Sequence, residues 1–331
     1  MTQIDFLAIG DIVCEPFIRL KEAEVHCEKG ANKCGICMSW GDKIPYDYAV
    51  YMPAVGNSAN AAVSAARLGL NAGLRAYVGN DRYGEECMER LTEEKVDTTY
   101  MVTETGKNTN YHYVLWYQSE RTILVKHENF SYTVPKLRNI PKWIYLSSLA
   151  DHTLPYHMEL SKLLDEHPEI KLAFQPGTFQ MSLGVEALKS LYERCEFFVC
   201  NKEEAGRILG TDNLEDPRGL LVGISKLGPK IVVVTDGTKG AYAFDGSRFM
   251  YVPMYPDTRG PFERTGAGDA FASTVVAALS LGEPLEKALL WGPINSMSVV
   301  QQVGAQAGLL TREELLDFLN KAPSSYVVRD L

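Results

Sequence analysis

Short apolar runs alternate with helically spaced segments along most of the chain. Residues 4–10 ("IDFLAIG") read as a buried strand, and 57–70 ("NSANAAVSAARLGL") as a tightly packed helix of small and apolar residues that ends at Gly69. The next strand spans 72–79, and a helix follows around 85–95. Runs rich in Val, Ile and Phe at 142–149, 170–177, 195–201 and 230–237 predict four more strands. Helical patterns separate them near 155–166, 182–193, 202–209 and 217–227. Strands fed by helices imply βαβ units, hence an α/β fold with a Rossmann-like, mostly parallel sheet and helices on both faces. In such sheets ligands sit beyond the carboxyl ends of the strands.

Two stretches break the rhythm. Residues 12–55 and 106–133 alternate polar and apolar positions around turn signals, and both read as antiparallel strands outside the main sheet. Together they would form a small β-sheet lid, with Trp40, Tyr111, Tyr113 and Trp116 supplying its apolar face. Core packing or a dimer surface are equally open uses of that face, and a homodimer through the lid would cover its strand edges. No repeat, low-complexity tract or Gly/Ser linker divides the chain, so a single domain over 1–331 is expected.

Composition narrows the function. A net charge of −9 without runs of like charge argues against a nucleic-acid footprint or a polybasic membrane patch. No stretch approaches 18 apolar residues and the first residues lack a basic, then apolar, signal pattern, so a cytoplasmic protein is expected. Seven scattered cysteines do not look like a disulfide framework, and reduced thiols are the expectation.

Chemistry gathers at "ERTGAGD" (263–269), which runs into an Ala-rich helical segment. A helix start leaves backbone N–H groups unpaired and attracts anions. Gly266, Ala267 and Gly268 let a phosphate approach them, and Asp269 stands at the rim, where it can accept a proton from an attacking hydroxyl or simply complement the helix dipole. Thr235 and Gly237 lie in a strand-turn-strand segment suited to a nucleotide phosphate or to an ordinary hairpin. Asn201 and Glu204 could share a hydrated Mg²⁺, although their three-residue spacing also fits a helix cap, which geometry alone favours. His26, Cys27, Cys34 and Cys37 have ligand types and spacing for Zn²⁺; Cys27 and Cys34 could equally flank a hairpin with free thiols. A P-loop, H-E-x-x-H and G-x-S-x-G are missing, and "AIGDIVCEP" lacks the G-x-G-x-x-G of a dinucleotide-dependent oxidoreductase.

In order along nearly the whole chain, "GNSANAAVSAARLG", "NKEE", "TDGTKGA" and "ERTGAGDAF" resemble the four signatures of the ribokinase (PfkB-type) sugar and nucleoside kinase family. The resemblance implies transfer of the γ-phosphoryl group of ATP to a sugar hydroxyl with Mg²⁺. Asp269 would be the base, and Gly266, Ala267 and Gly268 the anion hole. Asn201 and Glu204 would form the Mg²⁺ and phosphate pair, acting through water. Thr235 with Gly237 would form the nucleotide loop, and Gly56, Asn57 and Asn60 would contact the acceptor. Asn295, in "NSMSVVQQVGA", would lie in the adenine pocket.

Four departures qualify this. Glu15 stands where the family has an acceptor-binding Asp, one methylene longer. The glycine pair before the first helix is reduced to "VGN". The last motif begins Glu263-Arg264 rather than Asp-Thr, which leaves a monovalent-cation requirement open. Pro293 interrupts a helical pattern and is expected to kink it. "FQPG" (174–177) resembles the corresponding segment of nucleoside-kinase-like members, favouring a ribose-type acceptor over a hexose or keto-sugar. A catalytically silent sugar- or nucleotide-binding protein is the remaining alternative, and the retained Asp269 speaks against it.

Overall fold

The computed structural model describes residues 3–27, 34–257 and 259–331. Its main sheet has nine strands. Six are parallel, in the spatial order Ala72–Arg75, Phe6–Ile9, Trp143–Leu146, Lys171–Phe174, Cys195–Asn201 and Ile231–Thr235; antiparallel Ala241–Phe244, Phe249–Val252 and Arg329–Asp330 complete one edge. The first strand shows why this sheet needs helices on both sides. Phe6 and Ala8 pack with the helices Asn57–Arg67, Ala267–Ser280 and Leu285–Val299, whereas Leu7 and Ile9 join the opposite core under Leu154–Glu166 and Pro217–Ser225. All four side chains are fully buried, so neither face tolerates a polar residue there.

From Phe6–Ile9 the chain crosses first to one neighbour, Ala72–Arg75, and later to the other, Trp143–Leu146. This is a topological switch point, and a crevice opens beyond the carboxyl ends of strands that part in this way. Gly10 and Asp11 leave the first strand there beside Ser147 and Ser148, with Asp11 N donating to Ser148 O at 2.8 Å.

Two predicted elements of the main layers need correction. The strand expected over 72–79 is two: Ala72–Arg75 stays in the main sheet, while Tyr77–Gly79 turns away to pair with Val102–Glu104. The helix expected over 182–193 is broken into Thr178–Leu183, a 3₁₀ turn at Glu186–Leu188 and Lys189–Arg194, because Gly184 leaves helical space at φ +85°. Leu285–Val299, in contrast, continues through Pro293.

The irregular stretches supply a second sheet of four strands, in the order Glu120–Leu124, Tyr113–Tyr117, Val13–Leu20, Tyr46–Val55. Trp116 is buried in it, edge-on to Phe262 at 5.1 Å and under the Arg19 guanidinium at 4.2 Å. Trp40 does not join this face; it is fully exposed, as is much of Tyr113. Glu24–Cys27 and Cys34–Cys37 form a separate hairpin whose turn, 28–33, lies outside the described residues. Cys27 and Cys34 are joined as a disulfide, which overturns the reduced-thiol expectation for this pair, the other five cysteines being free, and with it the zinc set: neither sulfur is free to ligate, and His26 contacts Glu24 instead. No cluster able to hold a metal occurs among the described residues. No helix among them is long and apolar enough to cross a membrane.

Candidate active site

Two helices begin at the crevice with glycine rather than a capping side chain. Asn57–Arg67 follows Gly56 at φ +105°, and Ala267–Ser280 follows Gly266 at φ +80°; neither start has a side-chain cap. The glycines are steric necessities. A Cβ on Gly56 would stand 2.9 Å from Asp11 O, and one on Gly266 would stand 2.3 Å from Ala305 Cβ. Gly268, one turn-residue further, faces open space. At the Ala267–Ser280 start Ala267 N donates to Arg264 O at 3.5 Å, and no side chain caps the N–H groups that follow, which suits an anion.

Asp269 lies in the first turn and ties the two helix starts together. Asn57 Nδ2 donates to its Oδ1 at 2.8 Å and Asn60 Nδ2 to its Oδ2 at 2.9 Å; Gln175 Nε2 adds a bond to Oδ1 at 3.1 Å. Burial pushes this carboxyl above the usual aspartate range, and the three amide donors, with the charge of Arg121 on the lid, only partly offset the rise. The result is an oriented carboxylate whose proton affinity exceeds that of a surface aspartate. Tyr145 Oη in turn holds Gln175 Oε1.

Asn201 and Glu204 form a closed capping box. Glu204 N donates to Asn201 Oδ1 and Asn201 N to Glu204 Oε2, both at 2.8 Å. The box leaves Glu204 Oε1 for solvent or ligand. Burial raises the Glu204 carboxyl, and the negative charge of Asp269 raises it further, so the two carboxylates share one electrostatic environment that a cation would relieve. A hydrated Mg²⁺ fits this donor set, since it takes few carboxylates and keeps several waters. Thr235 is the register partner of Asn201 on the next strand, and Gly237 opens the turn after it at φ +50°. Asp236, between them, pairs with Lys202 at 3.0 Å and Lys239 at 3.8 Å.

Other expected residues are engaged by protein groups. Asn295 is wholly buried, its amide donating to Thr274 Oγ1 at 2.7 Å and accepting from Leu310 N at 2.9 Å, so it ties Thr274 to Leu310 and exposes no surface for adenine. Glu15 is buried against His112, with 3.3 Å between Oε1 and Nδ1. Glu263 is also buried; it accepts from Thr265 N at 2.7 Å, Thr265 Oγ1 at 2.6 Å and Gly304 N at 3.3 Å, which ties the loop before the Ala267–Ser280 helix to Gly304. Arg264 reaches the lid, 2.8 Å from Glu120. Gln175, Arg121 and Asp11 were missed by sequence reading. Gln175 had a signal, since it ends a strand just before Pro-Gly; the other two had none that a single sequence displays. A hollow of about 420 Å³ lined by Ile4, Asn71, Lys95 and Asp97 lies at the amino ends of the strands, away from all of these groups.

A doubly wound sheet with a small second sheet, a glycine-led helix start and an oriented carboxylate meet in this region of the molecule. The chain belongs to the pfkB family of carbohydrate kinases, whose family model matches residues 49–312. It is 27% identical over 274 residues to the ribokinase of Bacillus subtilis, covering 80% of this chain and 87% of that protein. It is 28% identical over 283 residues to an ATP-dependent 6-phosphofructokinase of Thermoanaerobacterium thermosaccharolyticum, covering 82% and 85%. Arabidopsis thaliana ribokinase, solved with ribose and ATP, shares its fold with a TM-score of 0.78 and 19% identity, over 96% of this chain and 99% of that one. The chain is a sugar or nucleoside kinase of this family, a phosphotransferase with an alcohol group as acceptor.

Proposed function

We propose that the protein transfers the γ-phosphoryl group of ATP to the primary hydroxyl of a ribose-type acceptor, free or within a nucleoside. The observation that carries this reading is the meeting of an uncapped helix start with an oriented, half-buried Asp269. Asp269 takes the hydroxyl proton as the new O–P bond forms and the bond between the γ-phosphorus and the bridging oxygen breaks, releasing ADP. Phosphoryl transfer depends mostly on position and charge, so the base need only orient and accept. Asn57, Asn60 and Gln175 fix the carboxylate, and the N–H groups of Gly266 to Gly268 face the charge that develops on the transferred group. Glu204 and Asn201 would hold Mg²⁺ through water; when bound, it neutralises phosphate charge. Thr235 and Gly237 would line the nucleotide, and Arg121 adds a positive charge from the lid side.

The test is ADP release from Mg-ATP with a panel of D-ribose, cytidine, adenosine, D-fructose and fructose 6-phosphate. Release with a ribose-containing member supports the reading. Release with fructose or its phosphate alone moves the acceptor to the keto-sugar class, and no acceptor-dependent release from any member sinks it.

A further inference from the structure

Phosphoryl transfer as described makes no use of the cysteines, and two of them meet. Cys14 lies in the second-sheet strand Val13–Leu20 and Cys87 in the helix Arg82–Glu93. Both are fully buried, and their sulfurs are 3.5 Å apart although 73 residues separate them in the chain. A disulfide would bring the sulfurs about 1.5 Å closer. The other buried free thiols, Cys195 and Cys200, belong to the core on the opposite face of the main sheet.

The surroundings make the two sulfurs unlike. Hydrogen bonding with Cys87, then with Tyr51 and the Ala54 backbone, holds the Cys14 thiol below the usual cysteine range against the effects of burial and of the Glu86 charge. The bond to Cys14, and after it burial, pushes the Cys87 thiol up, and burial does the same to Cys195 and Cys200. Attack on an oxidant is made by the thiolate, so Cys14 is the sulfur suited to attack and Cys87 is the protonated partner held against it. The pair is one side chain from solvent. Tyr51 Oη, which neighbours the Cys14 sulfur and donates to Glu86 Oε2 at 2.6 Å, belongs to a residue that is 39% exposed.

The strand that carries Cys14 also leads to the site. Val13, beside it, is the register partner of Val55, and Val55 precedes Gly56 and the Asn57 contact to Asp269. The Cys14 backbone is tied to the neighbouring stretch as well, its N–H donating to Asn110 O and its O accepting from His112 N, both at 3.0 Å. A displacement of Cys14 toward Cys87 is therefore passed to the strand that runs into Gly56.

We propose that Cys14 and Cys87 are an oxidisable thiol pair, and that their disulfide fixes the second sheet to the helix Arg82–Glu93, draws Asn57 off Asp269 and slows the enzyme reversibly. The oxidant class is a peroxide. The Cys14 thiolate attacks one peroxide oxygen; the S–O bond forms, the O–O bond breaks, and the departing hydroxide leaves as water with the proton that Cys14 released. The Cys87 sulfur then attacks the sulfenic sulfur of Cys14; the S–S bond forms, the S–O bond breaks, and the hydroxyl leaves as water with the Cys87 proton. The two thiols together give up two electrons, and one peroxide is reduced to two waters. Formation of the bond is independent of the kinase reading, whereas its effect on turnover rests on it.

The test uses the full chain, with a parallel sample carrying Cys27→Ser, Cys34→Ser and Cys37→Ser so that only buried thiols can respond. Each protein is reduced, freed of reductant, treated with hydrogen peroxide and digested for peptide mapping. The expected product has lost the mass of two hydrogens and links the peptide carrying Cys14 to the one carrying Cys87, with Cys195 and Cys200 unchanged. Acceptor kcat/KM, measured by ADP release, should fall about 10–100-fold, the scale for a site displaced by about 1 Å, and dithiothreitol should restore it. Cys14→Ser is expected to keep its turnover under the same treatment, and Cys14→Ala serves if the serine disturbs folding. Peroxide that leaves both thiols free, or that oxidises Cys14 without linking it to Cys87, would overturn the proposal, as would a linked protein whose turnover is undiminished. A link formed in protein that releases no ADP with any acceptor even when reduced would leave the thiol pair standing and the kinase reading fallen.

Discussion

Two of the helices that start at the carboxyl edge of the main sheet, Lys202–Leu209 and Ala267–Ser280, are finished in opposite ways. Lys202–Leu209 is sealed: Asn201 and Glu204 satisfy each other's backbone N–H groups in a reciprocal box. Ala267–Ser280 begins at a left-handed glycine, has no side-chain cap, and carries its acid turned aside into amide donors from other elements. Sealing a helix start is worth about 1 kcal/mol, so leaving one open concedes stability where an anion is to bind. The comparison teaches that similar local sequence, an acid near a helix start, serves two purposes. What decides between them is whether the residue before the helix carries a capping side chain.

The contrast can be broken at the open end first. Gly266→Ala places a Cβ against Ala305 in a backbone conformation unsuited to alanine. A left-handed non-glycine costs about 1–3 kcal/mol before the clash is counted, so both the melting temperature and turnover should collapse. Gly268→Ala has room and should keep its melting temperature, yet its methyl group stands where the phosphoryl group approaches; a turnover loss of about 100-fold, the scale for a displaced transition-state contact, is expected. Equal stability losses in the two variants would mean the small residues serve packing alone.

The pH dependence sharpens the contrast further. Burial raises Asp269, so it takes up a proton at a higher pH than the ordinary aspartate value of about 3.9, and acceptor kcat/KM should fall on acidification with an acid limb above that value. A limb at the unperturbed position would detach the rate from Asp269. The smallest effect belongs to the sealed end. Asn201→Ala should lower stability by about 1 kcal/mol, the worth of a cap, measured by denaturant unfolding.

Much of this was legible in the sequence, and the failures have physical causes. The alternation of apolar strands and helices shows because both faces of the sheet are buried, as with Phe6 and Leu7 on opposite sides. The glycine before the Ala267–Ser280 helix shows because its left-handed backbone and its approach to Ala305 permit few residue types. The break at Gly184 was missed because the apolar spacing continues across it while the backbone does not. Asn295 misled because an amide suited to a base is equally suited to bridge Thr274 and Leu310, and only burial separates the two uses. The Cys27–Cys34 bond and the Asp11–His127 approach are pairings across space, and the second joins residues that no local pattern connects.

The central claim is that Asp269 at the open helix start takes the proton from the acceptor. It is tested most directly by Asp269→Asn, assayed beside the wild type for acceptor-dependent ADP release and for ATP binding by calorimetry. Asparagine keeps the size of the side chain and removes its basicity, so turnover should fall by about 10²–10⁴-fold, the usual contribution of a general base, while ATP affinity stays within a few-fold of the wild type. Turnover preserved in the variant would contradict the claim.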